Sequence, residues 1–313
     1  MFEVDAPAGA FSAGCGRGTM SRMSDVIIGT NDGIVTAAGG KRELAGHEVT
    51  GLVARDGELW ALLDRRTVWR GADLASADDA SATCLLPTAG GVFAGTAGAH
   101  LLHATDGRLE MVDAFEDVEG RDAWHTPWGA PADTRSLAAG PDGALYVNVH
   151  VGGIVRSIDG GTSWTPTIDI ESDVHQVIAG PEAGVVLAAA AVGVAISRDG
   201  GDTWKVDTDG LHSTYCRSIA LAGDILLVGA SEGPDSRRAA VYRRPLTGDG
   251  PFERCEKGLP EWFEGNVDTH RLAAAGDTIA FATEDDRIFL SEDAGASWDE
   301  LARVPGLQCL AFA

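Results

Sequence analysis

The sequence predicts an all-β protein in which one unit of short antiparallel strands recurs around a ring. Six stretches share one pattern: a short apolar strand, a Gly/Asp turn and a second apolar strand, which is the pattern of a β-hairpin. The matching positions lie about 44 residues apart on average, which is the length of one four-stranded propeller blade. These positions are Leu52, Leu85, Leu137, Val177, Ile219 and Leu272.

The two ends of the chain supply a seventh unit. The C-terminal "GLQCLAFA" matches the first strand of every unit, with Leu310 in the position of Leu52, and the N-terminal "SDVIIGTNDGIVTAAGG" matches the second and third strands. We therefore predict a seven-bladed β-propeller over residues 24–313, with one blade closed between N- and C-terminal strands; six or eight blades are the alternative counts. Such closure removes open sheet edges. Residues 1–23 are expected to form a flexible arm, and Met1, Met20 and Met23 are all possible starts.

Each hairpin is followed by a third apolar strand, and in three units the fourth strand begins near a tryptophan. The predicted third strands read "TVWRG", "HLLHA", "GIVRS", "GVAIS", "AAVYRR" and "RIFLS". The turn after three of them repeats a serine, an aspartate and a tryptophan at fixed spacing. The three sets are Ser157, Asp159 and Trp164; Ser197, Asp199 and Trp204; and Ser291, Asp293 and Trp298.

This S-x-D-x-G-x-[ST]-W turn resembles the Asp-box, or BNR repeat, which sialidases and many non-catalytic propellers carry. The resemblance implies that the boxes lie between third and fourth strands, on the face away from the active-site mouth. Their chemistry is that of a tight turn, because aspartate can accept backbone N–H groups and a buried indole needs a local acceptor. A catalytic group is needed once, so repetition favours a structural role. "HATDGRL" keeps Asp106 and Gly107 without the tryptophan.

The amino-acid composition limits the classes of partner that the protein is expected to bind. The net charge is -23, from 47 acidic and 24 basic residues, and only Lys41, Lys205 and Lys257 are lysines. This composition resembles that of haloarchaeal proteins from cytoplasm rich in potassium chloride. A surface this acidic repels nucleic acid and anionic lipid, so neither is an expected partner. The N-terminus lacks an apolar signal segment, and five cysteines without CxxC spacing favour reduced, buried thiols. We expect a cytoplasmic location.

Ligands of propellers bind where the innermost strands begin, around the channel mouth. The residue two positions before each matching apolar residue is polar in all seven units, and strand alternation places it on the same side of the strand. These residues are Thr50, Thr83, Arg135, His175, Arg217, His270 and Gln308.

Loops on the same rim add aromatic, acidic and histidine side chains. The principal ones are His47, His125, Trp128, His150, Asp173, His212, Tyr215 and Asp268. Arginine pairs with carboxylate or sulfate, and histidine and tryptophan orient polar rings, so these residues predict a site for a small anionic or polyhydroxylated molecule. A hydrated channel is the alternative interpretation. No local spacing indicates a metal site, and no cofactor is expected.

Two classes of function fit. A non-catalytic binding or scaffold propeller, for an anionic small molecule or a protein partner, is favoured because no catalytic set is apparent. The alternative is a glycoside hydrolase of sialidase-like architecture with a non-standard catalytic set. Against sialidase chemistry, the chain has no R-I-P segment and only Tyr215 of its three tyrosines lies near the rim. An enzyme is expected to place a carboxylate of raised pKa beside the arginines.

Overall fold

The computed structural model describes residues 26–77, 79–104 and 107–313, which form seven antiparallel sheets. The seven-bladed propeller is thus confirmed, including the blade made from both ends of the chain. The predicted N-terminal arm, Cys15, Met20, Met23 and Asp106 lie outside the described residues. No helix in the described ranges is long and apolar enough to cross a membrane.

Six blades each contain four strands in chain order, with the first strand innermost. Blade 1 contains β3 (Val49–Arg55), β4 (Glu58–Leu63), β5 (Thr67–Trp69) and β6 (Asp73–Ser76). Blade 2 contains β7 (Ala82–Thr88), β8 (Gly91–Thr96), β9 (Leu101–Ala104) and β10 (Glu110–Met111). Blade 3 contains β11 (Asp133–Ala139), β12 (Leu145–His150), β13 (Gly153–Ser157) and β14 (Thr165–Pro166).

The second half of the ring repeats this order. Blade 4 contains β15 (Val174–Ala179), β16 (Val186–Ala190), β17 (Gly193–Ser197) and β18 (Lys205–Asp207). Blade 5 contains β19 (Tyr215–Ala222), β20 (Ile225–Ser231), β21 (Ala239–Pro245) and β22 (Glu253–Arg254). Blade 6 contains β23 (Leu272–Ala275), β24 (Thr278–Ala282), β25 (Arg287–Ser291) and β26 (Asp299–Arg303).

Blade 7 joins the chain ends. Its strands are β1 (Val26–Thr30), β2 (Gly33–Thr36) and β27 (Leu307–Phe312), with β27 innermost. Ile28 lies opposite Leu310 in the β1–β27 ladder, so the C-terminal strand takes the position predicted for it. Three short helical segments occur in loops between strands: α1 (Asp113–Glu116) and two 3-10 turns, Arg121–Ala123 and Ile170–Ser172.

The apolar core is divided into seven clusters, one between each pair of neighbouring blades. Ile27 and Cys309 of blade 7 pack with Val49 of blade 1, and Ile28 and Leu310 pack with residues of blade 6. Since β-strand side chains alternate between faces, each sheet buries one face against the blade before it and the other against the blade after it. Every blade therefore depends on both neighbours.

The three predicted box turns have the same hydrogen bonds. In the first, Ser157 Oγ donates to Asp159 Oδ1 at 2.8 Å, the Ser163 N–H donates to the same oxygen at 2.9 Å, and Trp164 Nε1 donates to the Gly161 carbonyl at 3.1 Å. The turns that begin at Ser197 and Ser291 repeat this pattern. The turns lie between third and fourth strands, as the resemblance implies.

Candidate functional site at the channel mouth

The inner strands carry β-bulges at the polar ring positions. The pairing register of each inner strand with its neighbour shifts across Thr50, Thr83, Arg135, His175, Arg217 and Gln308. A bulged residue is left out of the ladder, and its strand bends, which redirects the side chain. The bulges recur in six of the seven blades, so the same backbone irregularity presents a polar side chain at each of these positions around the channel.

The seventh ring position is formed differently. His270 precedes β23 and has a φ of 70°, in the left-handed region that non-glycine residues seldom adopt. Its Nε2 donates to the carbonyl of Arg135 at 3.2 Å, on the opposite side of the ring. The neighbouring Thr269 donates from its hydroxyl to the carbonyls of Arg217, at 2.9 Å, and His175, at 3.2 Å. Residues 268–271 therefore cross the channel and close it.

A cavity lies beyond this closure, at the other end of the channel. Its volume is about 470 Å³, and its walls are later residues of the inner strands, among them Leu52, Ile178, Leu221 and Phe312. His270 also borders it. Residues 268–271 thus separate this cavity from the polar mouth.

Among the seven ring positions, ionisable residues occur only in blades 3 to 6. The ring residues of blades 7, 1 and 2 are Gln308, Thr50 and Thr83, which carry no charge, whereas the other four are arginine or histidine. The ring is therefore asymmetric, with its two arginines in blades 3 and 5.

The two arginines of the ring, Arg135 and Arg217, have different surroundings. Arg217 Nε lies 2.7 Å from Asp268 Oδ1, and both side chains are largely buried. Arg135 has no hydrogen bond or ion pair from its guanidinium to any other described residue. Burial lowers the pKa of Arg135, and the charge of Arg217 acts in the same direction, while Asp268 and Asp173 oppose it. Arg135 nevertheless stays a cation at neutral pH, because arginine titrates so far above that range.

Three further side chains meet beside Arg135. The Asp173 Oδ1 lies 2.8 Å from Nε2 of His150 and 3.7 Å from Nε2 of His175. Burial lowers the pKa of His175 to about 3, against the attraction of Asp173, so its imidazole is neutral at pH 7. Burial alone would raise the pKa of Asp173, but its contact with His150 and the surrounding cations outweigh burial, and its pKa is lowered.

Aromatic rings border this group. The ring of Tyr215 meets that of His175 edge-on, with centroids 4.7 Å apart, and Trp128 lies 5.6 Å from His150. Trp128 is 67% exposed, more than any other tryptophan in the described ranges. A large apolar side chain left in water beside these polar groups offers a flat surface for a ligand.

Other predicted site residues lie outside this group. Both ring nitrogens of His212 have partners, since Nδ1 lies 2.8 Å from the Tyr242 hydroxyl and Nε2 lies 3.0 Å from the Arg238 carbonyl. His125 is exposed, and its Nδ1 lies 3.1 Å from the Ala123 carbonyl. His47 forms an exposed pair with Asp64 at 2.6 Å.

Sequence reasoning placed His150, Asp173 and His175 on the rim separately but did not join them. His150 ends β12 in blade 3, while Asp173 and His175 belong to the start of blade 4. Their contact depends on the packing between two blades, which residue spacing does not reveal. The only local signal was the Asp173-x-His175 spacing.

The fold and site define a seven-bladed propeller with a polar, one-sided channel mouth. No family model matches the chain, and no curated protein matches it. Solved structures do. A GH74 enzyme of Niastella koreensis has a TM-score of 0.54 and 14% identity, over 88% of this chain and 46% of its own.

Two further structures are similar at the same level. The GH74 xyloglucanase of Xanthomonas campestris has a TM-score of 0.56 and 16% identity, over 82% of this chain and 45% of its own. The structure of U3-55K has a TM-score of 0.56 and 15% identity, over 85% of this chain and 81% of its own. This chain spans less than half the length of the two GH74 enzymes. At such identities the likeness shows the fold alone.

Proposed function

We propose that this chain is a non-catalytic binding propeller that holds a small anionic molecule, such as a carboxylated sugar or metabolite, at its channel mouth. The observation that carries the proposal is the guanidinium of Arg135. It is a partly buried cation without a counter-ion of its own among the described residues, whereas its neighbour Arg217 has Asp268. Buried charges are ordinarily paired, so an unpaired guanidinium at the channel mouth favours binding of an anion from solution.

The surroundings of Arg135 fit a small ligand better than a protein surface. Asp173, Tyr215 and Asp268, which act electrostatically on Arg135, come from the bulges and loops of blades 4 to 6, and the turn at His270 bonds to its backbone. Guanidinium binds carboxylate in a two-pronged arrangement. Trp128 supplies an exposed ring beside His150 against which a sugar or planar group can lie.

Glycoside hydrolysis is the alternative. It requires one carboxylic acid that keeps its proton near neutral pH and a second carboxylate that acts as base or nucleophile. Asp173 has a lowered pKa, and Asp268 is engaged by Arg217. A lowered pKa does not suit Asp173 as the proton donor, so binding is preferred to catalysis.

The test is a thermal-shift screen in about 3 M KCl with EDTA, followed by titration calorimetry. The panel contains carboxylated, phosphorylated and sulfated sugars and metabolites, applied to wild type, Arg135→Gln and the control Arg70→Gln. Arg70 is paired with Glu58 at 3.1 Å in blade 1. We expect one carboxylated compound to stabilise wild type and the control, and Arg135→Gln to weaken its binding about 10- to 100-fold, the usual loss for a charge-assisted hydrogen bond.

Two results would overturn the proposal. Equal binding by wild type and Arg135→Gln would show that the ligand lies elsewhere. A panel without any hit, together with an assay that detects hydrolysis of aryl glycosides or a protein captured at this face, would move the assignment to one of the alternatives.

A further inference from the structure

Three side chains that commonly bind metals converge at the mouth from two blades. His150, Asp173 and His175 each place one nitrogen or oxygen within 4.8 Å of the other two. The His175 side chain is fully buried, that of His150 is 5% exposed and that of Asp173 is 21% exposed. Two imidazoles and one carboxylate on one side of an ion is a recurrent arrangement for divalent transition metals.

The hydrogen bonds of His175 fix where its lone pair points. Its Nδ1 lies 2.7 Å from the carbonyl oxygen of Cys216, which can only accept, so Nδ1 carries the proton. Nε2 of the neutral ring is then an acceptor, and it faces Asp173 Oδ1 at 3.7 Å. A backbone carbonyl that holds the outer nitrogen in this way is typical of metal-binding histidines.

A buried acceptor, His175 Nε2, therefore faces a carboxylate oxygen with no proton between them. His175 Nε2 has no hydrogen-bond partner among the described residues, whereas Asp173 Oδ1 has His150 Nε2 at 2.8 Å. Unpartnered buried polar atoms cost free energy, and two electron pairs that point at each other repel. A cation between them removes both penalties.

We propose that His150, Asp173 and His175 form a binding site for a divalent transition-metal ion of the Zn²⁺ class. In a tetrahedral zinc site, bonds of about 2.0–2.1 Å place neighbouring ligand atoms about 3.3 Å apart. The separations of 2.8 and 3.7 Å bracket that value, so small side-chain rotations admit the ion. Three protein ligands leave at least one coordination position open. Imidazole ligands favour Zn²⁺, Co²⁺ or Ni²⁺ over Mg²⁺ and Ca²⁺.

The backbone supports this position for Asp173. Its φ of 48° lies in the left-handed region, at the end of the 3-10 turn Ile170–Ser172. Aspartate and asparagine tolerate this region better than most residues. The conformation costs free energy and recurs at ligand sites, where the surrounding structure holds it.

Substitution of Arg135 provides a separate test of the metal site. Its charge acts on both Asp173 and His175 and opposes a second cation nearby. Arg135→Gln should therefore tighten metal binding several-fold, while it weakens binding of the anion proposed above. Opposite changes from one substitution would not arise from a loss of folding.

The experiment uses the full chain, stripped with EDTA and returned to chelator-free buffer in about 3 M KCl, where the acidic surface is screened. Zn²⁺ is titrated against a chromophoric chelator, and Co²⁺ is followed by its visible absorption. We expect one ion per chain, unaffected by excess Mg²⁺, and X-ray absorption of the zinc form should show imidazole nitrogen at about 2.0–2.1 Å.

The substitutions are chosen to keep local contacts. His175→Asn keeps a donor for the Cys216 carbonyl but loses Nε2; Asp173→Asn suits the same backbone; and His150→Gln keeps a polar group near Asp173. Each should weaken binding by at least about tenfold. The control His47→Gln removes the exposed histidine of the His47–Asp64 pair and should change nothing.

Unchanged affinity in all three variants, or a wild-type spectrum without imidazole ligands, would overturn the metal site. The spectrum needs no variant, so it decides even if a substitution prevents folding. Metal binding is measured without the anion and anion binding in EDTA, so each proposal can fail separately.

Discussion

Arg135 and Arg217 occupy the same bulged position in different blades, yet they play different parts because of one residue. Asp268, on the loop before blade 6, approaches Arg217 and leaves Arg135 without a partner. The position of this one carboxylate therefore determines which of the two arginines is free to bind an anion. Alignment of the blades makes the two arginines equivalent, and only the path of residues 268–271 across the channel separates them.

Asp268→Asn should destabilise the fold and release the guanidinium of Arg217. Removing one member of a buried pair leaves the other charge uncompensated, which costs about 3–5 kcal/mol when burial is complete. Arg217 is 17% and Asp268 33% exposed, so we expect about 1–3 kcal/mol, because water screens part of the cost. Urea unfolding measures the change, and urea leaves the ionic strength constant.

The control is Glu58→Gln, which is 53% exposed and whose partner Arg70 is 40% exposed. Exposed pairs contribute about 0–1 kcal/mol, so this variant should be close to wild type. Asp268→Asn should also tighten anion binding, because the mouth gains an uncompensated cation. A loss of stability no larger than that of Glu58→Gln, with no gain in affinity, would show that Arg217 is not held by this pair.

At the scale of the element, the box turn is a hydrogen-bonded unit that the chain uses three times. Both carboxylate oxygens of Asp159 accept within the turn, one from the Ser163 N–H and one from its hydroxyl, at 2.9 and 2.7 Å. The hydroxyl of Ser163 and the other donors lower the pKa of Asp159 to about 2, and Thr203 does the same for Asp199. The turn therefore depends on an ionised aspartate.

These aspartates should contribute to acid unfolding. A folded-state pKa below the unfolded value of 3.8 gives stability that is complete above about pH 4 and lost as the pH falls towards about 2. We expect Asp159→Asn/Asp199→Asn to be less stable than wild type at pH 7. The difference should shrink between about pH 4 and pH 2, since the wild-type carboxylates are then protonated.

Thermal unfolding at constant ionic strength from pH 7 to pH 2 measures this dependence. The control Asp235→Asn changes an exposed carboxylate on another turn and should leave the difference from wild type flat. A double variant whose deficit stays constant down to pH 2 would contradict a role for the ionised form.

The sequence was most informative at this scale, because an element is specified by local pattern. The hairpins, the third strands and the closing strand at Leu310 follow from apolar alternation and turn residues, and the structure confirms them. The bulges were not predicted, since a bulged residue such as His175 looks like any inward-facing strand residue. The contact of His150 with Asp173 was missed because it forms between blades. The two partners of His212 were also missed, because they lie 30 and 26 residues away along the chain.

At the scale of the whole molecule, seven cores rather than one hold the ring together. Each cluster lies between two blades, and the one that joins Ile27, Val49 and Cys309 closes the circle. A net charge of -23 acts on this ring from outside. The repulsion falls with salt, because the Debye length shrinks from about 10 Å at 0.1 M to about 3 Å at 1 M.

The melting temperature should therefore rise as KCl increases from about 0.2 M to about 3 M. The repulsion that salt removes should come from segments where acidic side chains are close together. Around α1 the chain exposes Asp113, Asp117, Glu119 and Asp122 within ten residues. Asp117→Asn/Glu119→Gln should raise the melting temperature at low salt and have no effect at high salt, where the charges are already screened. Calorimetry at both salt concentrations tests this, with sucrose as a non-ionic control for preferential exclusion.

A wild-type melting temperature independent of KCl would remove the halophilic interpretation of the composition. A gain in the double variant that persists at high salt would show that these two residues act through local structure rather than through charge.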